Sequence, residues 1–317
     1  MIIRPRLVVF SDLDGTLLDH ETYDFTPALP AIKALRARFG VLILASSKTA
    51  AEIAPLRRAL DFSHCPAIVE NGAGILASER GSQHESGGRY KELIGHLDAL
   101  PPELRQCYSS FSDWDEQEMA ARTGLSLEAA QLAKQREYSE PGVWSGTEEA
   151  FAAFCQALSR KGIHIQKGGR FVTLSFGGTK GQRVRELLAR LEDKRVPAIS
   201  IALGDAPNDR DMLESVDIAI EIPNPAHAGI GKIARGRNQV LRRRVLRGRQ
   251  AGTKKCSQCW KRSNSGEEHH VGFSAERKRR HAAQSRHHCT RRDGTTAQPF
   301  RRPSQDHAHP ALAVFGA

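Results

Sequence analysis

An α/β fold, with a Rossmann-like parallel-sheet core and an inserted α+β cap, is the class this sequence predicts. Three observations carry the prediction. Short runs of Val, Ile, Leu and Phe occur without polar alternation, as in strands buried on both faces. Amphipathic stretches of ten or more residues lie between those runs, and the connections are short and marked by Gly, Ser or Thr. Strand–helix–strand alternation of this kind implies right-handed βαβ units.

The first strand is expected at residues 7–11, where Leu7-Val8-Val9-Phe10 runs straight into Ser-Asp. A helix is predicted over 26–39, with Thr26 as N-cap, Pro27 in the first turn, and Ile32, Leu35 and Phe39 on one face; Gly40 ends it. Residues 41–45 form a second buried strand, and Ser46-Ser47-Lys48-Thr49 opens a helix through Leu60. A third strand at 67–69 ends in Glu70-Asn71-Gly72. Between residues 82 and 178 the rhythm changes. Gly87-Gly88 reads as a turn, polar helices run around 115–122 and 126–136, and a further helix covers 151–158. Strand-like 163–166 and 170–176 flank Lys167-Gly168-Gly169, so this segment is expected to be an α+β cap. The core then resumes with a helix from Lys180 to Leu191, a strand at 198–203 and a last one at 217–222. The expected division is a core of 1–81 and 179–229, a cap of 82–178 and a basic tail of 230–317 with little order.

The 317 residues suffice for one large domain or two smaller ones. No apolar run approaches the length of a membrane span, and the N-terminal apolar burst is too short for a signal peptide. The expectation is a cytoplasmic protein without a membrane partner. The net charge of +11 invites a nucleic-acid reading until it is divided. Residues 230–317 hold 21 Lys and Arg against 5 Asp and Glu, leaving 26 against 31 in the rest. The basic character belongs to the tail. Cys65, Cys107 and Cys155 sit in apolar or helical contexts and read as reduced thiols.

Chemistry concentrates where the parallel strands end. Asp12 and Asp14 follow the first strand, Ser46 the second, and Gly204-Asp205-Ala206-Pro207-Asn208-Asp209 a later one, while Lys180 heads a helix. Carboxylates, a hydroxyl and an ammonium suit Mg²⁺-assisted phosphoryl transfer: the carboxylates hold a hard cation, and the remaining groups spread the charge of the transferring phosphoryl. Plainer roles exist for each. Asp12 and Asp14 alone fit a turn or a calcium loop, Ser46 a helix cap, Lys180 an exposed first-turn lysine, and Asp209 a cap or a partner that orients Lys180.

The ordered set resembles the haloacid dehalogenase-like phosphatases. Their nucleophile loop matches Asp12-Leu13-Asp14-Gly15-Thr16, their Ser/Thr motif Ser46, their lysine motif Lys180, and their acidic motif the stretch from Gly204 to Asp209. The resemblance covers residues 7–229, with the cap between the second and third motifs. It implies that Asp12 attacks phosphorus to form an aspartyl phosphate. Asp14 would protonate the leaving alkoxide and then deprotonate water. Lys180 would neutralise Asp12 and the phosphate, and Ser46 would bond a phosphoryl oxygen. Mg²⁺ would be held by the Asp12 side chain, the Asp14 carbonyl and Asp205, with Asp209 or Asn208 behind.

Within that superfamily, Leu44-Ala45-Ser46-Ser47-Lys48-Thr49, Ile68-Val69-Glu70-Asn71-Gly72-Ala73-Gly74, Arg136-Glu137-Tyr138-Ser139-Glu140-Pro141 and Lys167-Gly168-Gly169-Arg170-Phe171 are similar to mannosyl-3-phosphoglycerate phosphatases. The resemblance implies a small phosphorylated sugar-glycerate substrate and release of mannosylglycerate in compatible-solute synthesis. Arg136, Lys167 and Arg170 would take its carboxylate, while Asn71, Ser139 and Glu140 would bond sugar hydroxyls. The alternative for Arg136, Ser139, Glu140 and Arg170 is a cap surface or an internal salt bridge. Thr173 stands where that family leads one to expect histidine. Another sugar-phosphate phosphatase of the same branch is the runner-up.

The tail alternates Arg-rich runs with Ser, Gln, His and Gly, and carries too little apolar patterning to order itself. Cys256, Cys259 and Cys289 with nearby His pairs fit no standard zinc spacing, so no zinc site is expected. The abrupt compositional change after Ile230 reads as a reading-frame shift. A rival of another class is a nucleic-acid-binding protein gripping DNA through this tail by counterion release.

Overall fold

The structure, a computed structural model, describes residues 5–19, 22–79, 87–191, 197–224, 229–231, 233 and 239–242. The chain opens with β1 (Arg6–Ser11), an apolar strand whose Val8, Val9 and Phe10 are buried, as expected for a strand covered on both faces. α1 (Leu29–Ala37) follows a one-turn 3₁₀ segment at Thr26–Ala28. Thr26 is therefore not the N-cap that the sequence predicts: Phe25 and Ala28 take the cap positions of the two segments, and the Thr26 amide donates to Asp24 Oδ1 at 2.8 Å. Phe39 departs from prediction too. It lies beyond the helix, is 87% exposed and takes φ +54°, which swings it off the face shared by Ile32 and Leu35.

β2 (Val41–Leu44) is fully buried, and α2 (Ala50–Ala59) starts from a capping box in which Thr49 accepts from the Glu52 amide and Glu52 accepts from the Thr49 amide. β3 (Ala67–Val69) turns through Glu70–Gly72 into an antiparallel partner, β4 (Gly74–Leu76).

The inserted region begins with α3 (Gly87–Asp98); Gly87-Gly88 opens this helix rather than forming the separate turn expected. α4 (Pro102–Arg105) leads to β5 (Tyr108–Ser110), α5 (Glu116–Thr123) and α6 (Leu127–Ala133). β6 (Ser139–Trp144), α7 (Glu148–Ser159), β7 (His164–Gly168) and β8 (Phe171–Ser175) complete it. The four strands form an antiparallel sheet in the order β5-β6-β8-β7. Period-two alternation along β8 sends Val172 and Leu174 into one core with Leu93 and Leu97 of α3 and Phe154 and Leu158 of α7. Phe171 faces the other way, against Phe111, Trp114 and Met119.

α8 (Lys180–Leu191) then returns the chain to β9 (Ala198–Gly204), which is followed by α9 (Arg210–Leu213) and β10 (Ile218–Glu221). β11 (Gln239–Arg242) is the last described strand. The core sheet runs β11-β10-β9-β1-β2, every neighbouring pair parallel, and a parallel bridge from Ala45 to Ile68 carries it on to β3. The parallel core with an inserted antiparallel α+β region is thus the predicted class. Beyond Ile230 the described residues are Gly231, Ile233 and 239–242. Ile230 and Ile233 are buried in the main apolar cluster, and β11 extends the sheet. The remaining tail expectations, including those on Cys256, Cys259 and Cys289 and on nucleic acid, lie outside the described residues. No helix among the described residues is long and apolar enough to cross a membrane.

The buried positions of Ile230 and Ile233 generate a test. A chain ended after residue 229 is expected to be less stable than one ended after 245 by roughly 4 kcal/mol, from the apolar area of two isoleucines, as measured by denaturant unfolding.

Candidate active site

β1, β2 and β9 all run the same way, so their carboxyl ends deliver Asp12, Ser46 and Asp205 to one rim of the sheet. Asp12 lies just past β1, and its amide donates to Leu203 O at 2.9 Å, which ties it to the end of β9. The turn after it needs Gly15, which takes φ +79°. A Cβ there would sit 2.8 Å from Asp205 Oδ2 and 2.7 Å from Asn224 Nδ2.

Lys180 is the centre of the cluster. Its ammonium, fully buried at the start of α8, donates to Asp12 Oδ1 at 2.6 Å and to Asp209 Oδ1 at 2.7 Å. Asp209 accepts from the Asp205 and Ala206 amides through Oδ2, at 3.2 and 3.1 Å. It therefore fixes both the lysine and the loop after β9. Asp205 accepts from the Thr16 hydroxyl at 3.1 Å and from Asn224 Nδ2 at 2.6 Å. Burial, with Asp209 and Asp205 alongside, pushes the Asp12 carboxyl up to about 7 against the opposing pull of Lys180. Burial alone would lower Lys180; Asp12 and Asp209 outweigh it and hold the ammonium above its ordinary range.

Three buried carboxylates, Asp12, Asp205 and Asp209, come within 4.8 Å of one another. One ammonium leaves that set with surplus negative charge in a low-dielectric place, and an all-oxygen donor set fits a hard divalent cation. Asp209 belongs to the cluster more closely than its expected place behind the metal ligands. The Asp14 side chain does not join it: its Oδ1 is 3.3 Å from Lys48 Nζ, an ion pair whose geometry falls short of a hydrogen bond. Ser46 is buried, and its Oγ accepts from the Lys48 amide at 3.2 Å, so it does cap the following turn while standing at the strand end.

Beside this rim opens a cleft of about 840 Å³ between the core loops and the inserted sheet. Asn71, Arg136, Ser139, Lys167, Arg170 and Thr173 all border it. Asn71 takes φ +58° and accepts from Asn208 Nδ2 at 3.3 Å. Gly72, at φ +94°, lets that turn approach α8, where a Cβ would fall 2.5 Å from the Lys180 amide nitrogen. Arg183 holds the turn in place through the carbonyls of Gly72 and Ala73.

Glu140 is a correction. It is fully buried, its two oxygens accept from the Tyr90 hydroxyl (2.7 Å) and the Ser112 amide (2.7 Å), and it does not border the cleft. Burial and Glu140 together raise the Tyr90 hydroxyl well above its ordinary value.

Glu70 was not among the residues that the sequence marks for a role, yet it joins the two sheets. Its buried carboxylate accepts from the amides of Glu137 (2.9 Å), Tyr138 (3.2 Å) and Ser139 (2.8 Å), and from the Ser139 hydroxyl (2.7 Å). Arg136 Nε lies 3.4 Å away and also donates to Ser139 O. Arg136 and Ser139 are therefore engaged with a core carboxylate even though both touch the cleft. Glu70 adopts φ +50°, uncommon for such a side chain, and this network over-determines it. A buried acid beside a tight turn is the only sequence signal for it.

The family model for haloacid dehalogenase-like hydrolase matches residues 9–93, which include Asp12, Asp14 and Ser46. The fold is that of two solved structures. One is a hypothetical protein from Geobacillus kaustophilus, 17% identical with TM-score 0.52, covering 75% of this chain and 93% of that one. The other is a haloacid dehalogenase-like hydrolase from Bacteroides thetaiotaomicron, 19% identical with TM-score 0.51, covering 70% and 91%. The family match is confined to the N-terminal stretch, and the two structures share the fold over most of the chain. The family match over residues 9–93 and the buried carboxylate cluster together support phosphoric monoester hydrolase activity in general.

Two measurements follow from these contacts. In metal-free buffer between about pH 4 and pH 7 the folded protein keeps a proton on Asp12 that the unfolded chain has released, so this group's contribution to stability falls as pH rises. Asp12→Asn lacks that term, and denaturant unfolding is expected to show the variant gaining on the parent across the window. Glu70→Ala leaves Arg136 buried without its counter-charge. It is expected to cost about 3 kcal/mol and to speed hydrogen exchange of the Glu137, Tyr138 and Ser139 amides at least ~10-fold.

Proposed function

We propose that this protein is a Mg²⁺-dependent phosphatase that hydrolyses a sugar-phosphate ester through an aspartyl phosphate on Asp12, and that its substrate is mannosyl-3-phosphoglycerate. The observation that carries the reading is the buried Asp12–Lys180–Asp209 arrangement beside Asp205, at the strand ends where a parallel sheet presents its ligands. Asp12, Asp205 and Asp209 are the side chains that would hold the cation, with the Asp14 carbonyl as a further oxygen. When bound, Mg²⁺ supplies neutralising charge for the phosphoryl oxygens.

Asp12 attacks phosphorus as a carboxylate, held in position by Lys180. The bond to the leaving oxygen breaks as the bond to Asp12 forms, and Asp14 gives that oxygen its proton. Asp14, now ionised, takes a proton from the water that attacks the aspartyl phosphate. Inorganic phosphate departs and Asp12 is restored. Ser46, at the end of β2, donates to a phosphoryl oxygen.

The cleft supports a substrate larger than a bare phosphate ester, and its cationic border with Asn71 supports an acidic, hydroxylated leaving group. The mannosyl-3-phosphoglycerate assignment rests on the motif resemblance together with this border.

Phosphate release decides the reading. The intact protein with Mg²⁺ is expected to release phosphate from mannosyl-3-phosphoglycerate faster than from other sugar phosphates. Chelation with EDTA and Asp12→Asn are each expected to lower the rate at least ~10³-fold. Equal rates across a sugar-phosphate panel would move the assignment to a broader phosphatase. Unchanged activity of Asp12→Asn would overturn the nucleophile.

A further inference from the structure

Resting on the hydrolase reading and deepening it, we propose that Lys48 is the specificity-determining cation of the cleft and binds a carboxylate carried by the leaving group. The sequence points instead to Arg136, Lys167 and Arg170, and the structure gives each of these other engagements. The Arg136 side chain is only 6% exposed, is matched in charge by Glu70, and donates to Ser139 and to Ser47 O. The Lys167 ammonium lies 4.0 Å from the centre of the Phe151 ring. Arg170 donates to Thr123 O at 2.9 Å and lies over the Phe171 ring at 5.0 Å.

Lys48 is held differently. Its amide donates to Ser46 Oγ and its carbonyl accepts from the Glu70 amide, so the backbone is fixed between the expected phosphate contact and the junction of the two sheets. Its ammonium borders the cleft, 3.3 Å from Asp14 Oδ1, 4.0 Å from Glu52 Oε1 and 5.4 Å from the centre of the Tyr23 ring. A charge-assisted hydrogen bond closes to about 2.8 Å. Both carboxylates stand farther off, Asp14 Oδ1 is buried without a hydrogen bond, and the other Glu52 oxygen is committed to the Thr49 amide. The ammonium therefore has donors available on a flexible stem.

Position then sets what it reads. Asp14 must come within hydrogen-bond reach of the leaving oxygen to protonate it, and since its Oδ1 is the buried oxygen beside Lys48, the other oxygen does so, which places Lys48 Nζ within roughly 8 Å of the leaving oxygen. A carboxylate two or three bonds along the leaving group lies in that range.

The test compares 3-phosphoglycerate with glycerol 3-phosphate, which share the ester and differ in the carboxylate. Calorimetric titrations with Mg²⁺ use full-length Asp12→Asn protein, which prevents turnover, with and without Lys48→Met or Lys48→Arg. Preference for 3-phosphoglycerate is expected in the parent background, to fall at least ~10-fold with Lys48→Met, and to be partly restored by Lys48→Arg. An unchanged preference, an equal loss for both ligands, or failure of the parent background to bind either overturns the proposal. The hydrolase reading fails separately, when the intact protein releases phosphate from no ester while the binding preference persists.

Discussion

A buried ammonium shared by two buried carboxylates organises this molecule. Lys180 enters at the first turn of α8, Asp12 at the end of β1 and Asp209 after β9, so the contact ties together segments separated by 168 and 29 residues. None of the three could sit there charged by itself, because desolvation would exceed anything the local backbone returns. Together they form a unit whose members depend on one another. Asp209 passes the constraint outward, since its second oxygen holds the amides after β9 and thereby aims Asp205. The charge that remains unbalanced in this dry place is of the kind a divalent cation could neutralise.

Backbone rules then determine how closely the parts converge. The parallel sheet brings three strand ends to one edge, and tight turns bring the loops the rest of the way. Gly15 lets the first loop touch Asp205, and Gly72 lets the third touch α8. The antiparallel sheet supplies the opposite wall. Part of its chemistry is inward: Tyr90 and Ser112 both satisfy Glu140, while Gln166, Lys167 and Thr173 of the same sheet border the cleft.

The core was legible because a strand buried on both faces writes itself as an apolar run, and the strand ends then point to Asp12, Ser46 and Asp205. The inserted sheet was less so. β6 holds Glu, Pro and Gly, and β5 is three residues long, so neither shows the usual pattern. Helix α3 was hidden by the two glycines that begin it. The part played by Glu140 was misjudged because a carboxylate in a polar stretch looks exposed, whereas its partners Tyr90 and Ser112 lie 50 and 28 residues away. Lys48 and Glu70 escaped for the same reason: each gains its meaning from partners that only the folded chain brings near.

The grip of Glu70 on the residues leading into β6 has one more implication. All its neighbours there are amides, a hydroxyl and a guanidinium, groups that water replaces one for one, and no greasy surface must be torn from the carboxylate itself. A fastening of that kind discriminates sharply on geometry while adding little net adhesion. It sets the position of the cleft wall through directional contacts, so small errors in placement there cost more than they would across an oily seam.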